Sequence, residues 1–162
     1  MISLAVLSKT RAELTLESLR AQLDRLYPGL FLPPQDRKNF VANGVTADVQ
    51  FLIQASVPGS AGLYMLHNIA GGEREFSDFA DDIDDPSQRE AILQQEAWLS
   101  IHLVEAAPDQ DCRRFIARVL AELAPADAAF LADLDRRLAI RFDEKVRGQL
   151  AREEIPTGLR RV

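Results

Sequence analysis

An alternation of apolar and polar residues from Val45 to Ser56, interrupted only by Leu52, constrains the fold most. Successive side chains of a β-strand point to opposite faces, so the pattern predicts a strand with one buried and one water-facing side. The preceding Asn43-Gly44 favours a tight hairpin turn, because these residue types adopt the positive φ angles that such a turn requires. A second alternating segment from Trp98 to Glu105 predicts another strand of this kind.

Three- and four-residue spacings of apolar residues predict the helices. One is expected after Thr15, a second after Asp85-Pro86, and a third along the stripe from Phe115 to Leu123. In the last third of the chain, we expect extended stretches near 128–132 and 138–142, and then a helix capped by Asp143. Short apolar runs predict further strands at Ile2–Leu7 and Leu63–Ile69.

The predicted order is β-α-β-β-β-α-β-α with a C-terminal strand and helix extension. It indicates an α+β fold, specifically a ferredoxin-like two-layer sandwich with helices on one sheet face. A length of 162 residues suits one domain, which we expect to span residues 1–154 before a flexible tail at 155–162.

Two stretches, QQEAWLSIHLVEA (94–106) and CRRFIARVLAELAPADAAFLAD (112–133), resemble a pattern in uncharacterised bacterial α+β domain families. In those families a strand bearing a Trp leads into an amphipathic helix and a further strand. The resemblance covers about a quarter of the chain. It implies shared architecture and carries over no catalytic residue and no activity.

The net charge of −6 is concentrated in one segment. Seven acidic residues and one arginine lie between Glu73 and Asp85, so this segment carries −6 and the rest of the chain sums to zero. Nucleic-acid binding needs a basic patch, and none is visible apart from Arg160-Arg161, so no such partner is expected. We instead expect an acidic interaction loop that docks on a basic protein. Its proposed residues are Phe76, Asp78, Phe79, Asp81, Asp82, Asp84 and Asp85.

The single cysteine permits no disulfide within the chain and fits a reducing compartment. The N-terminal residues lack the basic region of a signal peptide. No apolar run approaches the roughly 18–20 residues that cross a membrane. The sequence therefore predicts a cytoplasmic protein with no membrane partner.

Familiar catalytic motifs are absent from the sequence: it has no phosphate loop, dinucleotide fingerprint, zinc-protease helix or C-x-x-C pair. The glycines of Gly59-Ser60-Ala61-Gly62 stand at the wrong offsets for a nucleophile elbow, and the segment is interpreted as a turn. The acidic run from Asp78 to Asp85 lacks the oxygen spacing and central glycine of an EF-hand loop. We predict no cofactor and no metal site.

The two histidines are candidate general acid/base groups or metal ligands. His67 shares its strand face with Leu63, Met65 and Ile69, which look core-facing. His102 instead lies opposite a Leu-rich side, so the two rings are expected on opposite sheet faces. A shared metal site is therefore not expected, and His67 is interpreted as structural. Cys112, beside two arginines at a predicted helix start, could form a reactive thiolate, although a structural role is favoured.

The water-facing side of the predicted sheet is the second candidate site, because a tryptophan on a flat face often anchors binding. The alternative is that the C-terminal segment covers this face and makes Trp98 part of the core. The proposed binding residues are Trp98, His102, Asp48, Gln50 and Gln54.

The leading hypothesis is a non-enzymatic protein-interaction or adaptor domain. The alternative is a small-ligand-binding protein or hydrolase-type enzyme that uses His102 with carboxylates such as Asp48. A homodimer formed through an edge strand or through the Trp98 face is a third possibility.

Overall fold

Seven strands form one sheet in the order β2-β3-β4-β5-β1-β6-β7, and all neighbouring strands are antiparallel. The computed structural model describes residues 2–31, 38–44, 46, 49–71 and 73–159, without the side chains of 73–75. The strands are β1 (Ser3–Ser8), β2 (Phe40–Asn43), β3 (Phe51–Ala55), β4 (Gly62–Ala70), β5 (Ala97–Ala106), β6 (Phe130–Asp133) and β7 (Leu138–Arg141). The helices are α1 (Leu16–Leu26), α2 (Glu73–Ala80), α3 (Pro86–Leu93), α4 (Arg113–Leu123) and α5 (Glu144–Ala151), with a 3₁₀ turn at Thr157–Leu159.

The first face of the sheet is fully packed by α1, α4 and α5, which form the larger core. Helix α4 supplies seven buried residues, and α1 adds Leu19 and Leu23. The Phe115 ring lies between two tyrosine rings, 4.4 Å from Tyr64 and 5.6 Å from Tyr27. The Tyr64 hydroxyl donates to the Ser60 carbonyl at 2.6 Å, and burial raises the pKa of this phenol.

The second face is packed only at one end, where α2 and α3 form a smaller core. Phe76 and Ala80 of α2 and Ile92 of α3 are buried there against Leu7 of β1 and Phe130 of β6. Both faces of β1 are thus covered, and all six of its residues are buried. On the part of the second face formed by β2, β3, β4 and the residues after Trp98 in β5, no described side chain belongs to this core.

The hairpin between β2 and β3 differs from the predicted tight turn. Asn43 pairs with Phe51, and the Gly44 amide donates to the Gln50 carbonyl at 2.9 Å, so a longer loop joins the strands. This register places Val41 beside Ile53 on the buried face, and burial specifies register more strongly than a local turn preference. Val45, Ala47 and Asp48 lie outside the described residues.

The prediction that the acidic segment is a loop is wrong for its first part, because residues 73–80 form α2. The missed signal is helical spacing: Phe79 and Ala80 lie three and four residues after Phe76, and Ile83 lies four and three residues after them. Phe76 and Ile83 are buried and Phe79 packs beside them. These apolar side chains anchor α2 and the turn after it, and the described acidic side chains of the segment are exposed: Asp78, Asp81, Asp82, Asp84 and Asp85.

The predictions for the C-terminal third of the chain have different outcomes. The two short strands and the α5 helix are confirmed, and the Asp143 carboxylate caps α5 by accepting from the Val146 amide at 2.8 Å. Residues 155–159, which begin the expected tail, pack on the larger core, where Leu159 is fully buried; the flexibility of the tail stays a prediction. Residues 160–162 lie outside the described part of the chain.

The mixed α+β class is confirmed, whereas the ferredoxin-like topology is not. Helices lie on both faces rather than one, because α2 and α3 cover one end of the second face. The division into one domain stays a prediction.

Candidate functional site

Strands β2, β3 and β4 and the outer half of β5 present apolar side chains on the second face that belong to neither core. All are partly exposed, and Val104 reaches 49% exposure. Together with His67, His102 and Gln54, these residues are called the open face below. The apolar members are Phe40, Ala42, Leu52, Leu63, Met65, Ile69 and Val104.

The strand register assembles these side chains into continuous rows. Leu52 pairs with Met65, and Met65 pairs with His102, so the three side chains lie side by side across β3, β4 and β5. Ile69 pairs with Trp98 at the border of the smaller core. The open face is therefore one contiguous patch, in which Ala42, Leu52 and Met65 form an apolar row that ends at His102.

His102 is held at both ring nitrogens by serine hydroxyls. The Ser3 Oγ lies 2.8 Å from Nδ1, and the Ser100 Oγ lies 2.9 Å from Nε2. Both serines are buried, at 2% and 1% exposure. A neutral imidazole has one N–H and one acceptor nitrogen, so one serine accepts from the ring while the other donates to it.

The His102 pKa is lowered to about 4, first because burial penalises the charged ring and second because His67 is close. The two rings meet edge to face with centroids 4.6 Å apart. The imidazole is consequently neutral near pH 7. It is a weak base there, and its hydrogen bonds fix its orientation.

Protonation of His102 is expected to destabilise the fold in acid. The folded-state pKa lies below the unfolded value of about 6.5, so between these values the unfolded chain binds more protons and stability falls as pH falls. Allowing for screening of a half-buried ring, the loss between about pH 7 and pH 4 is on the order of 1–2 kcal/mol. Urea unfolding at both pH values measures this loss against the His102→Gln variant. An equal pH dependence in both proteins would contradict the assignment.

The expectation that the two histidine rings lie on opposite faces is wrong. Met65 pairs with His102 and His67 pairs with Ser100, so both rings lie on the second face. The error came from reading Leu63, Met65 and Ile69 as core residues, whereas they belong to the open face. No sequence signal connects Ser3 to His102, since 99 positions separate them.

The acidic segment borders the open face through the contact of α2 with Trp98. Of its five carboxylates whose side chains are described, two are engaged: Asp82 pairs with Arg137, and Asp85 caps α3 by accepting from the Ser87 amide at 2.9 Å. Within the described residues no cation pairs with the other three. These exposed carboxylates are Asp78, Asp81 and Asp84.

Trp98 is half-buried rather than either fully exposed or fully core. Its ring contacts Phe76 at a centroid distance of 5.4 Å, and α2, not the C-terminal segment, covers it. Its outer side lines a cleft of about 200 Å³ with Asp78, Phe79, Leu134 and Arg137, called the Trp98 cleft below. The two predicted sites, the acidic segment and the Trp98 face, thus meet in one place.

The remaining predicted binding residues are separated from one another. Gln54 lies on the open face and donates to the Gly62 carbonyl at 3.2 Å. Gln50 instead donates to the Leu14 carbonyl at 3.2 Å, in the segment between β1 and α1. Asp48 lies outside the described residues, and no described carboxylate contacts the His102 ring.

Cys112 precedes α4 and is fully buried, which agrees with the favoured structural role and argues against the alternative of a reactive thiolate. Its Sγ lies 3.6 Å from the Ala61 carbonyl oxygen, and its surroundings belong to the larger core. A nucleophilic thiolate needs access to its reaction partner, which this burial denies.

Within the described ranges, no three or more His, Cys, Asp or Glu side chains group as they would to hold a metal ion. Among the same residues, no helix has the length and apolar character that crossing a membrane requires. No family model, curated protein or solved structure matches this chain.

Proposed function

We propose that this protein is an interaction domain that docks a basic partner protein across the open face. The observation that carries the proposal is the contiguous row of partly exposed apolar side chains, which neither core accounts for. A large apolar patch rimmed by polar residues commonly marks a protein-binding surface. The ferredoxin-like topology stays a prediction, and the proposal does not depend on it.

Charge supports a basic rather than an acidic partner. Asp78, Asp81 and Asp84 are exposed on α2 and on the turn after it, beside the open face. Such carboxylates attract an oppositely charged surface from a distance and accelerate association. Burial of the apolar row then adds roughly 25 cal/mol for each Å² removed from water. These three carboxylates, called the acidic border below, speed association with the partner. The apolar row slows its dissociation.

A hydrolase that uses His102 is the second candidate, favoured by the two serine hydroxyls on its ring. The arrangement supports it less well than docking, for three reasons. Both hydroxyls are buried away from substrate, and the low pKa makes the ring a weak general base near pH 7. The described residues also bring no carboxylate to the ring to stabilise an imidazolium.

The electrostatic part of the proposal is tested by changing Asp78, Asp81 and Asp84 together to asparagine. Partners cross-linked in an extract of the source organism are identified and purified, and their association rates are measured at low salt. We expect the triple variant to associate about tenfold more slowly, because steering raises such rates by about 10-fold or more. Addition of salt should reduce the difference.

A matched control changes Glu13, Glu17 and Glu144 to glutamine. All three carboxylates are exposed on the other side of the sheet: Glu13 precedes α1, Glu17 lies in the first turn of α1, and Glu144 begins α5. Their replacement alters net charge equally. We expect the control to slow association much less. Equal slowing by both variants would mean that only net charge matters, and would contradict docking at the acidic border.

A further inference from the structure

We propose that the Trp98 cleft is an anchor pocket for one lysine or arginine side chain of the partner. The inference rests on the proposed function, because it names the group that a basic partner inserts beside the open face. The cleft lies where α2 contacts β5, between Asp78 and Phe79 on the helix and Trp98 on the strand.

The walls of the cleft suit a long aliphatic stem that ends in a cation. Phe79, Trp98 and Leu134 supply apolar surface, and indole is the aromatic ring that attracts cations most strongly. Lysine and arginine bury their methylene stems along apolar surfaces while their charged ends meet polar groups. A volume of about 200 Å³ accommodates one such side chain rather than a folded segment.

The charge at the rim favours a cation over an anion. Arg137 lines the cleft, but its guanidinium pairs with Asp82, which neutralises it. Asp78 is exposed, and the described residues give it no cationic partner. The charges of Arg137, Asp82 and Asp78 sum to −1, so an inserted cation gains the Asp78 carboxylate as its partner.

The indole is held in place before any ligand arrives. Phe76, only 1% exposed, packs against the inner side of Trp98 at 5.4 Å and belongs to the smaller core. Backbone pairing on both sides of Trp98, with Leu7 and Ile69, fixes its strand. A preorganised aromatic wall binds more strongly because little side-chain entropy is lost on binding.

The lone tryptophan makes the test direct, since Trp98 is the only one in the chain. The full chain is titrated with an acetylated, amidated hexa-arginine peptide, with hexa-citrulline as the uncharged peptide of the same shape. Trp98 fluorescence and the NMR signal of its indole N–H are followed. We expect saturable changes in both with hexa-arginine and none with hexa-citrulline.

Three variants locate the binding. Phe79→Ala is expected to weaken hexa-arginine binding about three- to tenfold through loss of an aromatic wall. Asp78→Asn is expected to weaken it about two- to fivefold. Asp81→Asn removes the same charge from the same segment but from a residue outside the cleft, and should have less effect than Asp78→Asn.

The outcomes separate this inference from the proposed function. Binding that leaves the indole signal unchanged and is weakened equally by Asp78→Asn and Asp81→Asn would overturn the anchor pocket while leaving the acidic border as a docking surface. Changes in the indole signal caused equally by hexa-citrulline would overturn the choice of a cation. Absence of any hexa-arginine binding would contradict both.

Discussion

Replacing Phe115 by alanine is expected to lower the free energy of unfolding by about 3–5 kcal/mol, the usual cost of truncating a buried aromatic ring. Phe115 is fully buried and packs between the rings of Tyr27 and Tyr64. Removing its ring deprives both tyrosines of a contact and leaves a cavity between α4 and the sheet. Urea unfolding followed by circular dichroism measures the change, provided that the transition stays two-state.

Phe40→Ala removes the same ring from the open face and is the matched control. Phe40 is partly exposed and belongs to neither core, so we expect a smaller loss, of about 1–2 kcal/mol. The contrast between the two phenylalanines tests whether the second face is uncovered beyond Trp98. Similar losses at both positions would mean that Phe40 is covered, and would contradict the open face.

Replacing Met65 by aspartate is expected to weaken partner binding at least about 30-fold, the loss typical of a residue at the centre of an interface. Met65 lies between Leu52 and His102 in the middle of the open face. A carboxylate there would be buried without a partner in the complex, which is costly. In the free protein Met65 is partly exposed, so the carboxylate can reach water and the fold should lose about 1–2 kcal/mol. Calorimetric titration with a purified partner measures the binding.

Ala21→Asp adds the same charge to the exposed side of α1, on the first face of the sheet. It should leave partner binding within about twofold, because surface charges distant from an interface contribute little. If Ala21→Asp weakens binding as much as Met65→Asp does, the loss arises from net charge. That result would place the interface elsewhere than on the open face.

Local patterns predicted the elements that form from nearby residues. Alternation in 98–105 predicts β5, the apolar stripe from Phe115 to Leu123 predicts α4, and Asp143 predicts the start of α5. Each depends on periodicity or on a capping hydrogen bond within a few residues. The same reasoning failed at Asn43-Gly44, where long-range pairing of Val41 with Ile53 determines the register.

Which face of each strand is buried could not be predicted, because alternation shows only that the two faces differ. In β4, Leu63, Met65 and Ile69 are as apolar as core residues, yet the helices pack against Tyr64 and Leu66 on the other side. That choice depends on where α1, α4 and α5 dock. The prediction of the site had the same uncertainty, because it placed His67 and His102 on opposite faces. It also treated Trp98 and the acidic residues as two separate sites, although they lie together.

The central claim, that the open face is free in the isolated protein and covered by a partner, is tested most directly at the Met65 methyl group. Met65 is the only methionine besides Met1, so selective methyl labelling gives a simple NMR spectrum. A soluble gadolinium chelate should broaden the Met65 signal in the free protein and spare it in the complex. Equal broadening in the two states would contradict the proposed docking surface, as would protection of Met65 in the free protein.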